Sequence, residues 1–386
     1  MGRHLPARLI LVLVAYGTLT LGCARQAPAP AAARPPAPPA TGDPAGGVSG
    51  STAALDALVA AARAEGQLSL VWGSGMFGGE EGVRRITEGM NRRYGLSTTV
   101  QFTPSPVGVE VTRRIITEAQ AGRTPSTDLF TSPPNDTLAL IRGDAAEPVD
   151  WPSWSANIRE PYLYAQDGMA VAAQSYMPVI SYNSNRVTGA AIPHSMEDLL
   201  KPEYKGRIAT TPYAAWFGSF AAPEVWGVQR TLDYTTRLAD QVAGLMRCSE
   251  NQRLVSGEFD LFAPDCTHRD SMRMRAQGQP IDFALAADVP LVSTFYISIP
   301  RRAPHPATAK LWIDYLMSRE GQDLLYEMDG QDNVRVPGSK MARDVAALEA
   351  GSRPFVYIDV DFNIRNDPAE LDRVTSEAQQ ILRNKK

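Results

Sequence analysis

The sequence predicts an α/β protein made of two doubly wound α/β lobes joined by crossing strands, and three observations carry that prediction. Apolar runs of strand character alternate with stretches of helical spacing through most of the chain, the pattern of parallel sheets covered by helices. With 386 residues, 44% of them hydrophobic, the chain can fill about two cores. No internal repeat, heptad run or coiled coil competes with this reading.

Each element follows in order. Leu55, Leu58, Val59 and Ala62 repeat at helical spacing, and Gly66 closes that helix. An apolar strand over 67–72 runs into the glycine-rich segment 73–79 and a charged helix over 80–94. A strand at 97–102, a helix near 109–121, a strand at 128–131 and a helix from Thr137 complete the first set. The second set has a strand at 177–182, a short helix at 196–200, a strand at 206–210 and a helix over 237–246. A unit flanked by two cysteines comes next. A long apolar strand over 290–300 and a helix over 306–328, interrupted at Ser318, return to the first lobe. The expected division is 53–175 and 291–350 for lobe 1, 176–290 for lobe 2, and 351–386 as a C-terminal strand and helix.

The N-terminus carries an address. Arg3, His4 and Arg8 precede an apolar run over 9–21 that ends at Gly22-Cys23. The run is shorter than the ~20 residues of a spanning helix, so residues 1–22 read as a signal peptide. Seven of the 27 residues at 24–50 are proline and most others are Ala or Gly. Such a segment buries too little apolar surface to order itself. Residues 23–52 are therefore expected to be a tether, up to ~80 Å long at ~3.1 Å per residue in polyproline form. Without residues 1–22 the chain keeps 36 basic and 42 acidic side chains, which excludes a basic nucleic-acid footprint.

Cys248 and Cys266 remain. In an oxidising compartment two such thiols tend to pair. A capping box at Ser249-Glu250-Asn251-Gln252 opens a short helix ending near Gly257, and a strand over 259–262 returns antiparallel to it, leaving both cysteines at one end. A bridge there would stabilise by ~3 kcal/mol. Two free thiols are the alternative.

Four stretches carry a resemblance. Thr20-Leu21-Gly22-Cys23 resembles a bacterial lipobox, which implies lipidation of Cys23; an incidental cysteine is the alternative. Ala61-Ala62-Arg63-Ala64-Glu65-Gly66-Gln67-Leu68-Ser69-Leu70-Val71-Trp72, Glu197-Asp198-Leu199-Leu200-Lys201-Pro202-Glu203-Tyr204-Lys205-Gly206-Arg207-Ile208-Ala209, and Ala309-Lys310-Leu311-Trp312-Ile313-Asp314-Tyr315-Leu316 with Ser318-Arg319-Glu320-Gly321-Gln322 resemble the iron(III)-type class of bacterial extracellular solute-binding proteins. The likeness covers about residues 55–340. It implies the type II periplasmic binding fold, a monomer, a small-molecule solute, an ABC permease of the inner membrane as partner, and no cofactor.

Ligands of open α/β sheets sit beyond the carboxyl ends of the strands, which selects four loops. Loop one, 73–79, follows Trp72 and offers Ser74, Gly75 and Met76 with free backbone N–H groups suited to an anion. It matches no phosphate-binding fingerprint. Loop two holds Ser132 and Pro133. Loop three, 211–218, brings Tyr213 and Trp216, whose rings suit a flat, apolar or cationic group. Loop four, 263–269, carries Thr267 and His268 as hydrogen-bonding groups and Arg269 as a charge. Iron-binding relatives place adjacent tyrosines here; this chain has none, so the resemblance implies the class and not the ferric site.

The expected function is capture of a small organic, in one form anionic, solute for import. Ferric iron held by Tyr213 or Tyr296 is the alternative within the class. A secreted hydrolase is another class, disfavoured by the lack of Gly-x-Ser-x-Gly, His-Glu-x-x-His or a paired-carboxylate signature. A sensor subunit would share every feature above.

Overall fold

The computed structural model describes residues 52–73, 75–105, 108–349 and 354–384. The expected signal peptide, Cys23 and the proline-rich tether lie outside the described residues, as does Ser74.

A helix over Thr52–Glu65 ends at Gly66, whose φ of 64° lets its N–H reach the Ala62 carbonyl at 3.0 Å. Strand β1 (Gln67–Trp72) then pairs in parallel with β2 (Thr99–Pro104), and Leu70 bridges to Leu129 just before β3 (Phe130–Ser132). β4 (Tyr164–Ala165) and β5 (Ala170–Tyr176) follow. These strands belong to lobe 1.

Lobe 2 holds β6 (Val179–Asn183), β7 (Ile208–Thr210), β8 (Val242–Leu245), β9 (Leu261–Asp265) and β10 (Ile281–Leu285), in the order β10-β6-β9-β7-β8. The chain returns through β11 (Leu291–Ser298), which pairs antiparallel with β5 and β3, and β12 (Val356–Ile358) adds in parallel. β5 leads into β6 across residues 177–178, and β10 into β11 across 286–290. The sheets are thus joined by two closely spaced crossings.

Each lobe has its own core. Leu70, Phe77, Ile86, Trp312 and Tyr315 centre the first, and Phe217, Phe220, Tyr234 and Leu261 the second. The motif over 306–328 folds as the spacing predicts. Helix Pro306–Leu316 buries Leu311 and Tyr315, and the Ser318 hydroxyl caps helix Arg319–Asp329 by accepting from Gly321 N–H at 3.2 Å.

Three expectations need correction. The helix expected over 237–246 ends early. Residues Val228–Ala239 are helical, and Val242–Leu245 pairs with β7 instead. Gly244 makes this possible, since a Cβ there would lie 2.2 Å from the Phe259 ring, so ladder pairing overrides local spacing. The helix after β3 begins at Pro134 rather than Thr137, with proline in its first turn. Residues Glu197–Leu200 make a single 3-10 turn, not an α-helix. The turn is ended by extended Lys201 ahead of Pro202, and the Asp288 carboxylate caps its start by accepting from the Met196 and Glu197 N–H groups at 2.8 and 3.2 Å.

Candidate functional site

Loop one leaves β1 and is held by its aromatic residue. Phe77 is fully buried against Trp72 and Trp312, with ring centroids 5.5 and 6.3 Å away, although its φ is 54°. That left-handed conformation is uncommon outside glycine. Met76 closes a tight turn by donating its N–H to the Gly73 carbonyl at 3.0 Å, and a 3-10 turn, Met76–Gly78, follows. The carboxylate that faces this backbone is the protein's own: the Phe77 N–H helps to hold down the pKa of Asp329. Trp72 corrects the sequence reading in another way. It is 2% exposed and packs on Phe77, Phe102 and Trp312, so it belongs to the core of lobe 1.

Loop four continues β9. Asp265 is buried and accepts from the Ser181 hydroxyl at 2.6 Å, the Asn251 amide at 3.2 Å and the Cys266 N–H at 2.6 Å. Burial pushes its carboxyl up to about 7. Cys266 is joined to Cys248 across a Cα–Cα distance of 5.7 Å, inside the ordinary disulfide range. His268 is 3% exposed, and burial lowers it to about 4, so the ring is neutral at pH 7. A neutral ring facing the Gly330 carbonyl at 3.3 Å must donate from Nε2. Nδ1 is then a bare acceptor, with no hydrogen-bond partner among the described residues.

Loop three carries the aromatic wall. Thr211 pins its start by accepting from Ala215 N–H at 2.8 Å, and Ala214 and Trp216 both take positive φ, 47° and 74°. The Trp216 indole N–H reaches across to the Cys266 carbonyl at 3.2 Å. Its ring lies 5.4 Å from Tyr176, which stacks on Phe295 at 4.5 Å. All three rings are half-buried. The register pairs Ser293 with Tyr176 and Phe295 with Gln174, which puts these four side chains on one face of the crossing strands. Tyr213 is more exposed, and its hydroxyl lies 2.8 Å from Cys248 Sγ.

A chain of contacts joins the lobes here. The Arg269 guanidinium donates to the Gly75 carbonyl at 3.1 Å and stands 3.6 Å from Asp329. Gln174 donates to Asp329 at 2.5 Å and to the Gln331 carbonyl at 3.2 Å, and the Gln331 amide bonds the Thr267 hydroxyl. Beside this junction runs a groove of 1960 Å³ lined by Gly75, Gly78 and Asp329 from lobe 1 and by Ser249, Arg269 and Arg273 from lobe 2.

The residues 140–362 match the family model of the bacterial extracellular solute-binding proteins. The chain belongs to that family. No curated protein matches it. Among solved structures, a substrate-binding protein of an ABC transporter from Agrobacterium tumefaciens superposes with a TM-score of 0.66 at 19% identity, covering 83% of this chain and 97% of that one. Iron-bound HitA from Pseudomonas aeruginosa gives 0.59 at 15%, covering 83% and 99%. The A. tumefaciens binding protein AgtB, in complex with agropinic acid, gives 0.58 at 16%, covering 81% and 99%. At these identities the likeness is one of fold, the type II periplasmic binding architecture.

In this solute-binding protein, loops one, three and four converge, and loop two does not join them. The Ser132 hydroxyl is taken up by Thr137 at 2.8 Å, and Pro133 serves as the cap of helix Pro134–Arg142. Tyr296, the residue across the ladder from Ser132, is buried against Leu138, Ala172 and Val360, and burial holds its phenol above the usual range. Among the described residues, the His, Cys, Asp and Glu side chains close enough to share a metal are Cys248, Asp265 and Cys266, and the two sulfurs there are bonded to each other. Sequence reasoning missed Gln174, Tyr176, Phe295, Asp329 and Gln331. One signal was available: Gln174 is an amide directly after the apolar run 170–173 of β5, where the structure buries it fully.

Proposed function

We propose that this solute-binding protein captures a small organic solute between its lobes and passes it to an ABC permease of the inner membrane, working as a monomer from a lipid anchor at Cys23. As an extracellular solute-binding protein it acts outside the cytoplasm, where the Cys248–Cys266 bond persists. The permease is supported by the similar Agrobacterium protein described as the substrate-binding protein of an ABC transporter. The observation that carries the reading is the half-buried stack of Trp216 on Tyr176 and Phe295, the last two standing on the strands that cross between the lobes. Stacked aromatic surface beside amide, hydroxyl and guanidinium groups suits an organic molecule with a flat or apolar part and a polar end. Loop four has none of the tyrosines that the iron-binding relatives place there, and of the phenols that could stand in, Tyr296 is buried in lobe 1 and the Tyr213 hydroxyl lies 2.8 Å from Cys248 Sγ.

The test is a thermal-shift screen of the full-length protein against amino acids, carboxylates, phosphonates, polyamines, sugars and ferric salts. A ligand at 100 times its Kd stabilises by ~2.7 kcal/mol. An organic solute should shift the melting curve, and Trp216→Ala should abolish that shift. A shift with ferric salts alone would overturn the reading. For the anchor, Cys23→Ser should move the protein from the membrane to the soluble fraction; unchanged partition refutes lipidation.

A further inference from the structure

The C-terminal segment belongs to neither lobe alone. Its strand β12 pairs with β11 through Val356, Tyr357 and Ile358, and the following helix, Val360–Arg365, packs on helix Pro134–Arg142. Both contacts are on lobe 1. At Asn366, whose amide donates to Glu224 at 3.1 Å, the chain leaves for lobe 2. The last helix, Pro368–Asn384, then lies against Phe217–Phe220 and Val228–Ala239. It buries Val374, Ala378 and Leu382 in doing so.

That helix grips the start of loop three. The Gln379 amide donates to the Tyr213 carbonyl at 3.1 Å, and Arg383 donates to the Pro212 carbonyl from Nε at 3.2 Å and Nη2 at 3.0 Å. These two carbonyls lie directly before Ala214, and three and four residues before Trp216, the two non-glycine residues of this loop held at positive φ. Such conformations cost free energy and persist where neighbours fix them. The approach is also close. A Cβ on Gly218 would lie 2.5 Å from the Thr375 hydroxyl and 2.9 Å from the Leu371 carbonyl, so only glycine lets the helix sit this near.

We propose that residues 354–384 form a third strap between the lobes, and that Gln379 and Arg383 are positioning residues that hold loop three and thereby set the orientation of Trp216. The bearing on solute capture rests on the cleft reading above; the grip on the loop does not.

Hydrogen exchange on the full-length protein tests the grip without any ligand. In Gln379→Ala/Arg383→Ala, the protected amides of Ala215 and Phe217 should exchange about tenfold faster, the scale of losing one or two hydrogen bonds. The amides of helix Val228–Ala239 should keep their wild-type rates. Gly218→Ala, which pushes the helix away while leaving both donors intact, should loosen the same loop, and Arg383→Lys, which retains a donor, should restore part of the protection. Exchange at the loop within twofold of wild type in both Gln379→Ala/Arg383→Ala and Gly218→Ala would overturn the proposal. So would uniform acceleration across lobe 2, since that describes a helix that stabilises the lobe without positioning the loop.

Discussion

Loop one and loop four face each other across the same junction, and different physics holds each. Loop one is short of side chains, so its conformation comes from backbone freedom at Gly78 and Gly79, with φ of 76° and 68°, and from one buried ring, Phe77. Loop four contains no glycine at all. It is fixed by a covalent bond at Cys266, by a buried carboxyl with three donors at Asp265, and by a buried neutral histidine at His268. One face of the cleft rests on the core of its lobe; the other is tied by specific polar and covalent links. A hydrophobic anchor is non-directional, whereas hydrogen bonds and a disulfide prescribe geometry. In the proposed reading the solute meets a lobe 2 surface fixed by polar and covalent links and a lobe 1 surface placed by packing.

The largest expected effect breaks the first half of this comparison. Phe77→Ala empties a fully buried site between Trp72 and Trp312 and should cost about 3–5 kcal/mol in urea unfolding. A loss under about 1 kcal/mol would mean that the glycines alone hold loop one. The second half breaks with Cys248→Ser/Cys266→Ser, which opens a loop of sequence separation 18. That should cost about 3 kcal/mol in the chain-entropy model. If the double variant unfolds at the wild-type urea midpoint, the bond is not what fixes loop four.

What the sequence made legible follows the same division. The alternation of strands and helices, the Ser318 cap and the pairing of Cys248 with Cys266 were readable, because each depends on local spacing or on compartment chemistry. Loops three and four were readable as strand ends, which is why Trp216, Thr267 and His268 were singled out. The segment that completes the junction was not. Asp329 ends a helix and Gln331 follows it, with no strand before them, and they sit more than 250 residues after Gly75. Tyr176 and Phe295 read as strand interior, and only the register of β5 against β11 shows that they share a face. Trp72 read as a site residue for the opposite reason: it ends a strand, but its indole turns into the aromatic core. The burial of His268 comes from Gly330 and Phe283, two segments that no local pattern places beside it.

The smallest expected effect concerns the tie between the two loops. Arg269 sits 3.6 Å from Asp329, beyond charge-assisted hydrogen-bond distance, with its own side chain 24% exposed and that of Asp329 4%, so the attraction is weak. Its signature is pH dependence. Burial pushes Asp329 up to about 6 from 3.8, opposed by Arg269 and reinforced by Asp270. Above about 6 the carboxylate is charged and the guanidinium attracts it; below, the attraction fades. In the wild type the native state binds more protons than the unfolded chain between about 4 and 6, so this group's contribution to stability falls as pH rises through that window. His268 works the other way, because its native value of about 4 lies under the unfolded 6.5. Arg269→Gln should raise both groups, since the guanidinium lowers each. Both changes make the variant lose more stability, relative to wild type, at pH 8 than at pH 5. Urea unfolding at the two pH values reads this difference, and solution scattering should show a larger radius of gyration for the variant at pH 8. Equal losses at both values would leave the Arg269 hydrogen bond to Gly75 as the tie between the two loops, with no electrostatic contribution from Asp329.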